Sequence, residues 1–265
     1  MIPPIKNMQD AFSVAGKNVV VTGGGRGIGY GISTAYAQMG ANVAILARNT
    51  AGAQQAVEEL SAYGGNHFCI ECDVASLESV KAATEALFQK VDHVDVLVNN
   101  AGISLQSTLL QDTDLEKWHK VIDTNLHGPV NMIYCIAPKL IEAGLGGCII
   151  NISSVGSINC SNAKDQPMPP YFTSKAALNQ FTRYISVELG PYNIRVNCIA
   201  PGMTHSDLDS GLSQGMLDLV QTKLPMGRFG EPIEIGALCV YLSSHAGCHV
   251  TGAIYLHDGG LLVVK

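Results

Sequence analysis

The sequence predicts an α/β fold in which one doubly wound, parallel, seven-stranded sheet carries helices on both faces. Three observations lead there. Short β-branched runs such as Asn18–Thr22 (NVVVT) are apolar at almost every position, as strands buried on both faces are. Each such run is followed by a stretch of helical length, so strand and helix alternate along the chain. The chain has 265 residues, 47% hydrophobic and only 14% charged, against about a quarter charged in an ordinary globular chain. That suits one well-buried α/β domain.

Residues 1–15 hold two prolines and no apolar core and read as an N-terminal extension, leaving 16–265 as a single domain. Asn18–Thr22 is the first strand, and a glycine cluster then opens a helix that runs to Met39, with Gly40 as its C-cap. Asn42–Ala47 is the second strand, with a helix through Leu60. His67–Cys72 is the third, with a helix over Ser76–Lys90. Asp95–Asn99 is the fourth, with a long helical stretch from Asp114 to Glu142. Cys148–Ser153 is the fifth, then a loop and a helix over Tyr171–Leu189. Ile194–Ala200 is the sixth. An irregular substrate-loop region covers 203–230, a helix covers Ile233–Leu242, and Ala253–His257 is the last strand. In such sheets ligands bind beyond the carboxyl ends of the strands.

Several function classes fall away. A net charge of −6 and a pI near 5.7 give no electrostatic case for nucleic acid. No apolar run approaches the roughly 20 residues that span a bilayer, and the N-terminus has no secretory pattern, so the expected compartment is the cytoplasm. The eight cysteines sit mostly in apolar runs and read as buried free thiols, Cys69 and Cys72 included. No metal site is expected: His245 and His249 are four apart, but Gly247 lies between them and no glutamate does. Gly211–Gly215 (GLSQG) matches a nucleophile elbow in letters only, because polar residues precede it where a buried strand is required.

The chemistry-bearing loop is Thr22–Gly29 (TGGGRGIG). Gly23, Gly27 and Gly29 come after a strand and open a helix, so backbone N–H groups and the positive end of a helix dipole face an incoming anion. The second strand ends Ala47-Arg48-Asn49, without the carboxylate that would hold the ribose hydroxyls of NAD(H). Arg48, with Arg26 from the glycine loop, suits a 2′-phosphate instead, which favours NADP(H) over NAD(H). Further on, Tyr171 and Lys175 stand at i and i+4 on one helix face. A nearby ammonium would lower the phenol's pKa and make it a usable acid/base for a ketone or secondary alcohol. Ser153 and Ser154 close the fifth strand at the rim where ligands bind.

With these residues in place, the chain resembles the classical short-chain dehydrogenases/reductases, from about Lys17 to Gly260. The matching segments are TGGGRGIG, Asp73-Val74, NNAG at 99–102, Asn125, Ser153-Ser154, Tyr171 with Lys175, Pro201-Gly202 and Asp258-Gly259-Gly260. The resemblance implies a Rossmann-type fold and a set of roles. Tyr171 would be the general acid/base and Ser154 the catalytic serine, with Ser153 as the fallback. Lys175 would hold the nicotinamide ribose and tune the tyrosine. Asn125 would anchor a water for proton relay. Cofactor contacts would come from Gly23, Gly25, Arg26, Gly27, Ile28, Gly29, Arg48, Asn49, Asp73, Val74, Asn99, Ala101, Gly102, Pro201, Gly202 and Thr204. Ser206 stands where the family often has a threonine.

The resemblance thus implies NADP(H)-dependent reversible oxidation of a secondary alcohol, in a homotetramer or homodimer. The loop over 158–170 is longer than most members carry and hints at a sugar or polyol, whereas the apolar residues of 203–224 hint at a hydroxysteroid. A 3-oxoacyl thioester reductase and a non-catalytic NADP(H)-binding regulator are the alternatives.

Overall fold

A computed structural model of the chain describes residues 4–110, 114–160, 167–205 and 224–263, together with Gly215 and Thr222. Seven strands form one sheet: β1 Asn18–Thr22, β2 Asn42–Ala47, β3 Phe68–Glu71, β4 Val96–Asn99, β5 Gly147–Ile152, β6 Ile194–Pro201 and β7 Ile254–His257. Their order is β3-β2-β1-β4-β5-β6-β7, and every pair is parallel. Strand order therefore reverses between β1 and β4, and a crevice opens at their carboxyl ends.

The alternating pleat of each strand feeds two apolar layers. Val19 and Val21 of β1 face the layer that holds Ile32, Tyr36, Cys239 and Leu242. Val20 faces the other, with Leu87, Met132, Ile136 and Ile185. The helices behind these layers are α2 Gly27–Gln38, α3 Thr50–Leu60, α4 Leu77–Phe88, α5 Glu116–Ile122, α6 Gly128–Ala143, α7 Pro169–Leu189 and α8 Pro232–Ser243. Helices α2 and α8 touch at backbone distance: a Cβ on Gly31 would run into the backbone of Pro232, and one on Gly236 into Ala35 and the Gly31 carbonyl.

Strands and helices lie within a few residues of their expected bounds, and the helical stretch expected over Asp114–Glu142 runs unbroken from Glu116 to Ala143. Its unexpected detail is a π-helical turn over Asp123–His127, between α5 and α6. Residues 1–15 are not a bare extension. A short helix, α1 Met8–Ala11, is capped by Asn7, and Ala11 and Val14 are fully buried, Val14 within the α2–α8 layer. All eight cysteines are free. Cys72, Cys148, Cys198 and Cys239 are buried, Cys69, Cys135 and Cys248 are partly so, and Cys160 is exposed, against expectation, on the loop after β5. Among the described residues, no helix is long and apolar enough to cross a membrane.

Candidate active site

The glycine loop is shaped by its own backbone and braced from the loop after β4. Gly23 takes φ +65°, open to glycine at little cost, and its N–H donates to Leu46 O at 2.7 Å. A Cβ on Gly29 would collide with the Gly23 carbonyl. The brace is Asn100, whose Nδ2 donates to Thr22 O at 3.0 Å and Gly23 O at 3.3 Å. Thr22 Oγ1 in turn accepts the N–H groups of Asn100 and Ala101, both at 3.0 Å. Arg26 occupies the N-cap of α2 without a capping bond, which leaves the N–H groups of the first turn available. Ile28 packs inward against the core, and Gly25 lies against Ala53 of α3. The sequence reading missed the bracing by Asn100 and Thr22; the second asparagine of NNAG was the available signal.

Beyond β2 and β3, Arg48 and Asp73 line one cleft of about 400 Å³ with Ala75, Glu116, His119, Lys120, Asp123 and Thr124. The expected neighbour Asn49 does other work: its side chain accepts from Gly52 N at 3.2 Å and caps α3. One carboxylate oxygen of Asp73 accepts from Ala75 N at 3.1 Å. Val74 is buried, and Gly128, which opens α6, sits against its side chain.

Asn125 and Lys175 meet beside Gly102, with the Tyr171 ring next to Lys175 and Ser154 next to Tyr171. A Cβ on Gly102 would meet Asn125 Oδ1 at 3.3 Å and Lys175 Nζ at 3.5 Å. Asn125 lies in the π turn and is fully buried. Its amide grips one residue from both sides, accepting from Ile103 N at 2.8 Å and donating to Ile103 O at 2.8 Å, with a longer bond to Ser174 Oγ at 3.3 Å. Lys175 is buried, and its Nζ donates to Ile152 O at 2.8 Å. Burial pulls its pKa down to about 8.

The two serines separate cleanly. Ser153 Oγ donates to the Lys175 carbonyl at 3.1 Å and so ties β5 to α7. Ser154 is half-buried, accepts from Gly156 N at 3.1 Å, and lies close enough to Tyr171 to act on the phenol's acidity. Ser154 is thus the serine beside the phenol. The expected lowering of the tyrosine pKa is corrected. Burial holds the Tyr171 phenol above its ordinary value, and the neighbouring Ser154 opposes this. The Lys175 ammonium stands 5.8 Å from the ring centroid and is anchored on the Ile152 carbonyl rather than on the hydroxyl.

Asn99 ends β4. Its side chain turns into the sheet, donating to Asn151 Oδ1 at 2.9 Å, and Asn151 donates on to Thr182 Oγ1 at 2.9 Å. Asn99 is buried. Pro201 ends β6, Gly202 N donates to His257 O at 2.9 Å, and Thr204 Oγ1 reaches back to Gly202 O at 3.4 Å. Ser206 lies outside the described residues, as do most of the GLSQG stretch and residues 161–166 of the lengthened loop.

A family model described as enoyl-(acyl carrier protein) reductase matches residues 23–262. A short-chain type dehydrogenase/reductase from Mycobacterium marinum superposes with a TM-score of 0.89 at 34% identity, over 96% of this chain and 99% of that one. The chain belongs to the short-chain dehydrogenase/reductase family. As a short-chain dehydrogenase/reductase it is an NAD(P)-dependent oxidoreductase. The 3-oxoacyl-(acyl-carrier-protein) reductase of Chlamydia muridarum is 36% identical over 246 residues, 92% of this chain and 97% of its own. The NADPH-dependent 3-quinuclidinone reductase from Rhodotorula rubra superposes with a TM-score of 0.90 at 31% identity, over 99% of this chain and 97% of that one.

Proposed function

We propose that this short-chain dehydrogenase/reductase is an NADP(H)-dependent carbonyl reductase that interconverts a ketone and a secondary alcohol. The observation that carries the reading is the grouping of Asn125 and Lys175 beside Gly102, with Tyr171 next to Lys175 and Ser154 next to Tyr171. The crevice fits a dinucleotide. Gly23 and Gly27 take positive φ, Gly29 has no room for a side chain against the Gly23 carbonyl, the first turn of α2 keeps its N–H groups available, and Arg48 stands by the cleft for a 2′-phosphate. A related structure described as NADPH-dependent supports the preference. When bound, the nicotinamide supplies the hydride.

The chain's own groups do the rest. Tyr171 donates its phenolic proton to the carbonyl oxygen, and Ser154 Oγ donates a hydrogen bond to the same atom. Fixed donors aimed at the forming alkoxide are the main electrostatic asset of such a site. Lys175 uses one N–H on Ile152 and keeps two for the ribose hydroxyls. Because the Asn125 amide is committed to Ile103, the group it offers a relay water is its main-chain carbonyl in the π turn.

For substrate, the reading is a sugar, a polyol or a hydroxysteroid. A 3-oxoacyl thioester is the second reading, favoured by the description of the matching family and by the chlamydial relative. Homo-oligomerisation through α6 and α7 is supported by the outward-facing Tyr134, Tyr184 and Val187, 64%, 69% and 76% exposed. The test is a panel of ketoses, oxosteroids and 3-oxoacyl thioesters run with NADPH and NADH, beside Tyr171→Phe. Turnover should fall by about a thousandfold in that variant while NADPH affinity stays within about twofold. Full activity in Tyr171→Phe would refute the assignment. Tight NADPH binding without turnover of any ketone would favour the regulator.

A further inference from the structure

We propose that Asn179 and Ser157 form a positioning pair that holds the Ser154 turn in register with the helix carrying Tyr171 and Lys175. The proposal rests on the role given above to Ser154. Asn179 lies four residues beyond Lys175 on α7, one further turn along the face that presents Tyr171, and it is buried. Its Nδ2 donates to Ser157 Oγ at 2.7 Å. Ser157 Oγ donates to the Ser154 carbonyl at 2.5 Å, and Ser157 N donates to the same oxygen at 2.9 Å. Behind Asn179, the Cys198 thiol donates to Asn179 Oδ1 at 3.3 Å. Burial keeps that thiol protonated, its pKa raised to about 11.

The bonds form a directed chain from β6, through α7, to the backbone of Ser154. Asn179 and Ser157 are each both donor and acceptor, so the orientation of the Asn179 amide is fixed by its two neighbours. The turn over Val155–Ser157 and Ser153 before it have further ties to α7. Ser153 Oγ meets the Lys175 carbonyl, and the Phe172 ring lies over Gly156. Both act at the near side of the turn. The Asn179–Ser157 bond restrains its far side and thereby the direction in which the Ser154 hydroxyl points. A hydroxyl that must meet both the phenol and a substrate oxygen is sensitive to displacements of about an ångström.

Ser157→Ala, Ser157→Thr and Asn179→Leu, and the double variant of the first and last, separate this role from general support of the fold. Ionisation of Tyr171 is monitored by ultraviolet difference absorbance, with Tyr171→Phe subtracted to isolate that phenol. A Ser154 hydroxyl displaced from Tyr171 should move the ionisation up by about half a pH unit or more. In Ser157→Thr, which keeps the hydroxyl, it should stay at the wild-type value. With the best ketone of the panel, kcat should fall by about ten- to a hundredfold in Ser157→Ala, with the Kd for NADPH within about twofold. The double variant should lose no more than the worse single variant, as members of one chain do. Unmoved tyrosine ionisation in Ser157→Ala, or independent additive losses, overturns the proposal. These outcomes are read apart from the carbonyl-reductase assignment, which stands or falls on turnover by Tyr171→Phe.

Discussion

Lys175 and Tyr171 sit side by side with their acidities displaced in opposite directions. Burial lowers the ammonium to about 8 and raises the phenol above its ordinary value. These directions set the sign of the pH dependence. Below about 8 both groups carry their protons and ketone reduction has a full relay. As pH rises through about 8, Lys175 deprotonates first, while Tyr171 is still neutral. The kcat/KM for reduction should therefore decline across that value, about tenfold per pH unit on the limb if one proton is required. A profile flat to about pH 10, the ordinary range of a phenol, would show that the ammonium takes no part. The residues legible in the sequence were those whose chemistry is local to a motif: the glycines, Tyr171 with Lys175, and the serine pair. The direction of the Asn99 side chain was not legible, because a motif does not say which way a side chain points. Its inward turn is set by Asn151 and Thr182, 52 and 83 positions away in the chain.

At the scale of elements, the β-branched runs made the strands legible almost to the residue, since a strand buried on both faces has few alternatives. The helices were legible as stretches but not in their detail. Nothing in the letters DTNLH announces a π turn, because its cause is tertiary: Asn125 is held by Ile103 on a different loop. The contact between α2 and α8 was equally hidden, though its glycines were in plain view. Gly31→Ala would force a methyl into the backbone of Pro232, an atom group that cannot rotate away. The expected cost is about 1–3 kcal/mol in a urea or thermal melt, typical of overpacking. Wild-type stability in that variant would mean that α8 shifts freely on α2.

At the scale of the molecule, the crevice is assembled from loops at the ends of β1, β2, β3, β4 and β5, so a ligand lying across it links segments distant in the chain. Binding to the native state alone must then stabilise the whole fold. NADPH at about a hundred times its Kd should add about 2.7 kcal/mol, a rise in Tm of roughly 5–10 °C for a chain of this size. NADH at the same concentration should add less. The difference between the two cofactors should shrink in Arg48→Ala if that guanidinium meets the 2′-phosphate; an undiminished difference would locate the discrimination elsewhere.

The π turn also governs rotational phase. Each residue advances a helix by about 100°, and a wider turn inserts backbone without breaking the rod. On one side of Asp123–His127, α5 looks toward α7 and the cleft at Arg48 and Asp73. On the other, α6 turns Met132, Ile136 and Leu140 into the layer shared with α4. The π turn thus offsets the phase of the two halves of one continuous rod, and at the offset Asn125 is presented to Ile103 between a face turned to the cleft and a face turned to the core.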